Sequence, residues 1–160
     1  MDKLETIYQF NKGLLQSLSV DYQEWQHEPI LDFVTDEKVA KELGWTGTHS
    51  KSLFLKLKGA GHALLLTDKD SRLDSKGIKA LTGKRPSIVG NDEMTKAIGC
   101  VPGAVCPFGL PSHIPIIVDR SLFSSKELLY TPGKPDFTIS LPSSRLMDIL
   151  QALENPIIEM

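Results

Sequence analysis

The sequence predicts a mixed α/β (α+β) fold in one domain. Three observations carry this. Strand-like and helix-like segments interleave along the chain, and two strands are joined by a tight turn, which a purely parallel, doubly wound sheet does not contain. The 160 residues are 41% hydrophobic and 24% charged, the profile of a globular chain that buries its own core. There is no internal repeat and no linker long enough to divide the chain, so residues 1–160 read as one unit.

The elements follow in order. Residues 1–18 place Leu4, Ile7, Tyr8, Leu14, Leu15 and Leu18 at helical spacing, with Gly13 weakening the middle. Residues 1–13 read as a helical N-terminal extension. Ser19 to Gln26 alternates loosely and predicts a strand. Thr35 is positioned to cap a short helix from Asp36 to Leu43, which Gly44 ends. Lys51 to Lys58 alternates, with Leu53, Leu55 and Leu57 on one face and Lys56 and Lys58 on the other: a half-buried strand. Gly59-Ala-Gly61 turns the chain and His62 to Thr67 returns it. Ser75 to Leu81 and Asp92 to Ile98 predict short helices, the second capped by Asn91 or Asp92 and ended by Gly99. A Gly/Pro-rich loop follows. Ile114 to Asp119, Glu127 to Tyr130 and Phe137 to Leu141 predict strands, and Ser143 to Leu153 a last helix with Pro142 at its start.

The charge is balanced in total and uneven in place. Eighteen Lys+Arg against 20 Asp+Glu give a net −2. Residues 1–50 carry a net −5, residues 51–96 a net +5 and residues 97–160 a net −2. The total excludes a tight general polyanion binder, whereas the basic middle third suits a local contact with phosphates. The stretch MDKLETIYQFNK lacks the features of a secretory signal, so the expected location is the cytoplasm, with Cys100 and Cys106 as reduced thiols. The four histidines show no metal-ligand spacing, and no metal or cofactor is expected.

The familiar catalytic motifs are missing: no G-x-S-x-G, no P-loop, no H-E-x-x-H. Cys106 with His113 would be a nucleophile pair, but unreactive loop thiols are the commoner outcome. Two features remain. Lys51 shares its face of the strand with three leucines, so its ammonium either meets a partner or sits in water at the strand end. Gly103-Ala-Val-Cys-Pro107-Phe-Gly109 combines backbone freedom with rigidity, and free N–H groups in such a loop hold an oxyanion or a carbonyl oxygen.

Together these residues carry a resemblance. Lys51-Ser-Leu-Phe-Leu-Lys56, Arg72-Leu-Asp74, the Gly103–Leu110 loop and Ile117-Val-Asp119 resemble, in order and spacing, the YbaK-like family. Those proteins are similar to the editing (insertion) domain of bacterial prolyl-tRNA synthetase. The match runs over roughly residues 14–150, taking in Tyr22, His27-Glu-Pro29, Gly133 and Ile139. The resemblance implies a compact domain with a mixed, strongly curved sheet flanked by short helices. It implies a trans-editing hydrolase that cleaves the ester of mischarged tRNA, most often tRNA for proline carrying alanine or cysteine, with the ribose hydroxyl of the substrate assisting a water. It places the family lysine on Lys51 and the G-x-x-x-P loop on Gly103 and Pro107, as catalytic Lys51 and Gly103. The implied substrate contacts are Tyr22, His27, Ser50, Ala104, Val105, Cys106, Pro107, Phe108, Gly109 and Thr138. Cys106 stands where many relatives carry serine, which suggests a place in the amino-acid pocket, and Asp136 is offset from the acidic residue some relatives have near Thr138. The implied partners are the acceptor end of mischarged tRNA and prolyl-tRNA synthetase. The alternative is a non-catalytic tRNA- or protein-binding module of the same fold.

An activated ester fits this residue set. It needs an oriented water and a stabilised oxyanion more than a strong nucleophile, which accounts for the missing triad.

Overall fold

A computed structural model describes residues 2–160. They form five α-helices and eight strands in the order α1 (Lys3–Ser17), β1 (Gln23–Gln26), α2 (Phe33–Leu43), β2 (Thr48–Leu57), β3 (Gly61–Asp68), α3 (Ser75–Thr82), β4 (Pro86–Ile88), α4 (Asn91–Ile98), β5 (Ile116–Val118), β6 (Glu127–Tyr130), β7 (Phe137–Pro142), α5 (Leu146–Ala152) and β8 (Ile157–Glu159). The strands make one mixed sheet in the order β1-β7-β6-β2-β3-β5-β8, with β4 added to β2. The β2–β3 hairpin, β1–β7, β6–β7 and β2–β4 are antiparallel; β2–β6, β3–β5 and β5–β8 are parallel. The mixed α/β class is therefore the observed one.

The sheet is covered on both faces, and β2 shows how. Leu55, Leu57, Leu65 and Ile117 pack under Ile78 of α3 as a smaller cluster. Phe54, Leu64, Leu66, Ile116 and Val118 point the other way, into the main core with α1, α4 and α5. The expectation of a half-buried β2 is corrected here, because Phe54 and Leu55 are both buried. Period-2 alternation sorts residues between faces, but it does not say that the second face is wet.

Other expectations also shift. α2 is capped by Asp32, whose carboxylate accepts from the Thr35 N–H at 2.7 Å, so the helix starts at Phe33. Gly90 sits at the cap of α4, without a side-chain bond. The last helix starts at Leu146 because residues 143–145 form a 3-10 turn first. β4 and β8 are three-residue strands, too short for a periodic signal. The N-terminal helix is part of the core: Ile7, Asn11 and Leu15 are buried. Among the described residues no helix is long and apolar enough to cross a membrane.

One topological detail positions the site. One edge of β2 pairs with β3 along Ser50–Leu57. Its other edge is shared: β6 takes Thr48 and His49, and β4 takes Leu55 to Leu57. The stretch between them has no neighbouring strand, and a cleft opens there.

Candidate active site

The cleft encloses about 370 Å³ and is lined by Ser50, Lys51 and Ser52 of β2, the start of α2, and Pro102, Gly103, Val105 and Pro107 of the loop opposite. Thr138 of β7 lines it as well. The structure thus brings together Lys51, Gly103, Ser50, Val105, Pro107 and Thr138.

Lys51 donates through Nζ to the carbonyl of Ser71. That carbonyl is held in place by Asp68, whose carboxylate accepts from the Ser71 N–H at 3.1 Å, the Ser71 hydroxyl at 3.1 Å and the Asp70 N–H at 2.8 Å. No carboxylate lies within salt-bridge distance of Lys51 among the described residues. An ammonium has three donors, so one bond to a neutral carbonyl aims the cation and leaves two N–H groups for a ligand. The sequence offered a charged partner or a strand end in water; the ammonium meets a backbone carbonyl while half-buried.

The opposite wall depends on Gly103. Its φ is +84°, and a Cβ there would fall 2.2 Å from the Leu31 carbonyl oxygen. Only glycine allows this approach, which presses the loop against the chain entering α2. The Ala104 N–H is occupied by the Val101 carbonyl at 3.1 Å. The N–H groups of Gly103 and Val105 have no partner among the described residues, so these two, and not Ala104, are the donors left for an oxyanion or carbonyl.

Of the remaining predicted residues, His27 stands behind the lining, bonded to Thr138. His27 bonds the Glu28 carbonyl through Nδ1 at 2.7 Å and Thr138 Oγ1 through Nε2 at 2.8 Å. A carbonyl only accepts, so Nδ1 carries a proton, and in the neutral ring Nε2 then accepts from the Thr138 hydroxyl. His27 therefore aims Thr138. Ser50 Oγ donates to the Leu129 carbonyl at 2.7 Å and ties β2 to β6. Tyr22 lies away from the cleft, with Lys12 Nζ 5.0 Å from its ring centroid. Gly109 lies beside Phe10 at a second, separate cavity.

Cys106 is corrected as a pocket wall. It is 1% exposed and its thiol faces inward, donating to the Phe108 carbonyl at 3.3 Å and accepting from Asn11 Nδ2 at 3.4 Å. Asn11 also bonds the Ile7 and Phe108 carbonyls and accepts from the Tyr130 hydroxyl at 2.9 Å. Burial pushes the Cys106 thiol far above its ordinary range, with the neighbouring Cys100 adding to the effect. A thiol held neutral in this way is no nucleophile. Phe108, also 1% exposed, packs edge-on against Tyr130 with centroids 5.1 Å apart.

One cleft residue went unread in the sequence. His49 donates through Nδ1 to Asp36 at 3.1 Å, and Lys69 Nζ stands 3.9 Å from the same carboxylate oxygen. All three line the cleft. The Asp36 bond places a proton on Nδ1, and in the neutral ring Nε2 is then an acceptor. Trp45 packs between the two histidines, 5.6 Å from His27 and 5.5 Å from His49. The available signal was spacing: His49 lies two residues before Lys51 and so shares its face of β2.

A lysine on a central strand of a mixed sheet lines one cleft with a glycine–proline loop, the arrangement that the sequence resemblance implied. The aminoacyl-tRNA editing domain family matches residues 31–149, and the chain belongs to that family. It is 26% identical over 147 residues to the prolyl-tRNA editing protein ProX of Acetoanaerobium sticklandii, covering 88% of each chain. It is 27% identical over 145 residues to the multifunctional Ser/Thr-tRNA deacylase ProXp-y of Escherichia coli, covering 87% of this chain and 85% of the relative. Among solved structures it superposes on the hypothetical protein APE2540 with a TM-score of 0.77, at 20% identity and over 93% of this chain and 97% of the other. A candidate trans-editing enzyme for prolyl tRNA synthetase superposes with a TM-score of 0.73, at 20% identity and over 96% and 95%. These two likenesses establish the fold.

Proposed function

We propose that residues 1–160 form one editing domain that acts in trans as an aminoacyl-tRNA deacylase. Its first substrates are alanine or cysteine attached to tRNA for proline. The observation that carries this reading is a set of unspent donors on residues of one cleft: the Lys51 ammonium, with one bond made, and the unpaired N–H groups of Gly103 and Val105. Such an arrangement stabilises the oxyanion of a tetrahedral intermediate while water attacks the ester carbon. Water adds to the carbonyl, the C–O bond to the ribose breaks, and the leaving ribose oxygen takes the proton that the water gives up. Lys51 acts as a fixed charge, not as a base. Thr138, aimed by His27, and His49, aimed by Asp36, each supply an acceptor near the aminoacyl group. In the relatives' names both a prolyl-tRNA editing activity and a Ser/Thr-tRNA deacylase occur, so the amino acid is what the assay must resolve. A proline–tRNA ligase of Nautilia profundicola is 34% identical over 70 residues, 44% of this chain and 12% of that one, which supports prolyl-tRNA synthetase as a partner.

The test is deacylation of tRNA for proline charged with alanine, cysteine, serine or proline. Hydrolysis of a non-cognate ester well above its spontaneous rate, with the prolyl ester spared, is the expected result. If no mischarged tRNA is cleaved faster than it decays alone, the protein is a binding module and not an enzyme.

A further inference from the structure

The gap in the β2 ladder leaves backbone groups aimed into the cleft. Alternate residues of a strand direct both N–H and C=O to the same edge. The His49 carbonyl accepts from the Lys69 N–H at 2.9 Å, so His49, Lys51 and Leu53 direct theirs toward β3. The Phe54 carbonyl accepts from the Val89 N–H at 3.0 Å, on the opposite edge. Ser50, Ser52 and Phe54 therefore direct their backbone groups toward the side that β6 and β4 share. Along that edge the Ser50 carbonyl and the Ser52 N–H and carbonyl have no partner among the described residues. All three residues line the cleft, with the exposed Ile88 and the half-buried Val89 as apolar neighbours.

A carbonyl followed two residues later by an N–H, both on one strand edge, presents an acceptor beside a donor. This is complementary to a flat heterocycle carrying an amino donor next to a ring-nitrogen acceptor. Adenine has that pair in its 6-amino group and N1. An extended peptide is a poorer fit, because β6 and β4 close the gap at both ends and leave about 13 Å between Ser50 and Phe54. We propose that this open edge seats the terminal adenine of the tRNA, its 6-amino group donating to the Ser50 carbonyl and its N1 accepting from the Ser52 N–H. The proposal rests on the deacylase reading above and names the part of its substrate that this edge holds. No side chain is involved, so sequence motifs are blind to this contact.

The experiment replaces the terminal adenosine of mischarged tRNA with three analogues. Purine riboside lacks the 6-amino group, 1-deazaadenosine lacks N1, and 7-deazaadenosine keeps both. The expected result is a KM raised about 10-fold for each of the first two, with kcat within about twofold and 7-deazaadenosine unchanged, since the base is held alike in ground and transition states. Ser52→Pro deletes the N–H without removing a bond to β3. It raises KM for the adenosine-ended tRNA by the same factor and adds no further rise with the 1-deaza end, which is the signature of a direct contact. Its melting temperature reports folding, and if it does not fold the base replacements decide. Equal KM for all four termini, or a loss with 7-deazaadenosine alone, overturns the proposal. If the unmodified mischarged tRNA is not hydrolysed, the deacylase reading fails. The same four termini on an uncharged acceptor-stem RNA, measured by direct binding, then still decide whether the edge seats the base.

Discussion

The loop from Gly103 to Phe108 has two sides that do opposite work. Gly103, Val105 and Pro107 line the cleft. Ala104, Cys106 and Phe108 are 1–2% exposed and belong to the interior. An irregular segment here alternates as a strand does, one residue toward ligand and the next toward the core. The cleft side offers free N–H groups and a left-handed glycine. The core side offers a thiol, an aromatic ring and a carbonyl, all engaged by Asn11 and Tyr130. The difference teaches that a ligand loop is held in shape from behind, and that a motif read as one functional block mixes contact residues with packing residues.

If the two sides are truly separate, changes on the core side move stability and changes on the cleft side move rate. The largest expected effect is Phe108→Ala, which empties a fully buried aromatic site and costs about 3–5 kcal/mol. Denaturant unfolding measures this directly. The folded fraction of that variant keeps its substrate preference if the comparison holds. Next comes Lys51→Ala, which deletes a charge aimed by one carbonyl. It lowers kcat/KM by about 100-fold, or about 2.7 kcal/mol, with the melting temperature unchanged. Full activity there would remove Lys51 from the mechanism. Smaller again is Asp36→Ala, which frees the His49 ring and deprives Lys69 of its carboxylate neighbour. A roughly 10-fold fall in kcat/KM is expected, mostly recovered by Asp36→Asn because an amide oxygen still accepts the Nδ1 proton. If Asn restores nothing, the charge and not the ring orientation is what matters.

Much of this was readable beforehand, for specific reasons. The β2–β3 hairpin was legible because the eight residues Lys51 to Lys58 alternate, with Leu53, Leu55 and Leu57 on one face, and glycines mark the turn. The helix α4 was legible because it ends at a glycine. Lys51 and Gly103 were legible as chemistry because a lysine on an apolar face and a glycine in a rigid loop both need explaining. What stayed hidden depends on long-range pairing. β8 becomes a strand only because β5 lies beside it. His49 is oriented in the cleft only because α2 folds back on β2 and brings Asp36 to its Nδ1. The open edge of β2 exists only because two different strands stop short of each other. No pattern local to one element states which other element will lie beside it.

Cys106 is where the comparison is most easily broken. Its place in the loop suggested a pocket wall, and by that reading Cys106→Ser changes which amino acid is removed. Its geometry says otherwise. The thiol is a small group between Asn11 and the Phe108 carbonyl, both within 3.4 Å. A serine hydroxyl has the same two partners to donate to and accept from, in slightly less volume. The expected outcome is a stability change within about 1 kcal/mol, since the hydrogen bonds are conserved and the lost sulfur contacts are few. Relative rates on alanyl, cysteinyl and seryl esters stay the same. Competition between those three esters for Cys106→Ser and the parent protein measures this directly. A preference altered by more than about threefold would mean that the core side of the loop reaches the substrate, and that the alternation between its two faces does not separate packing from recognition.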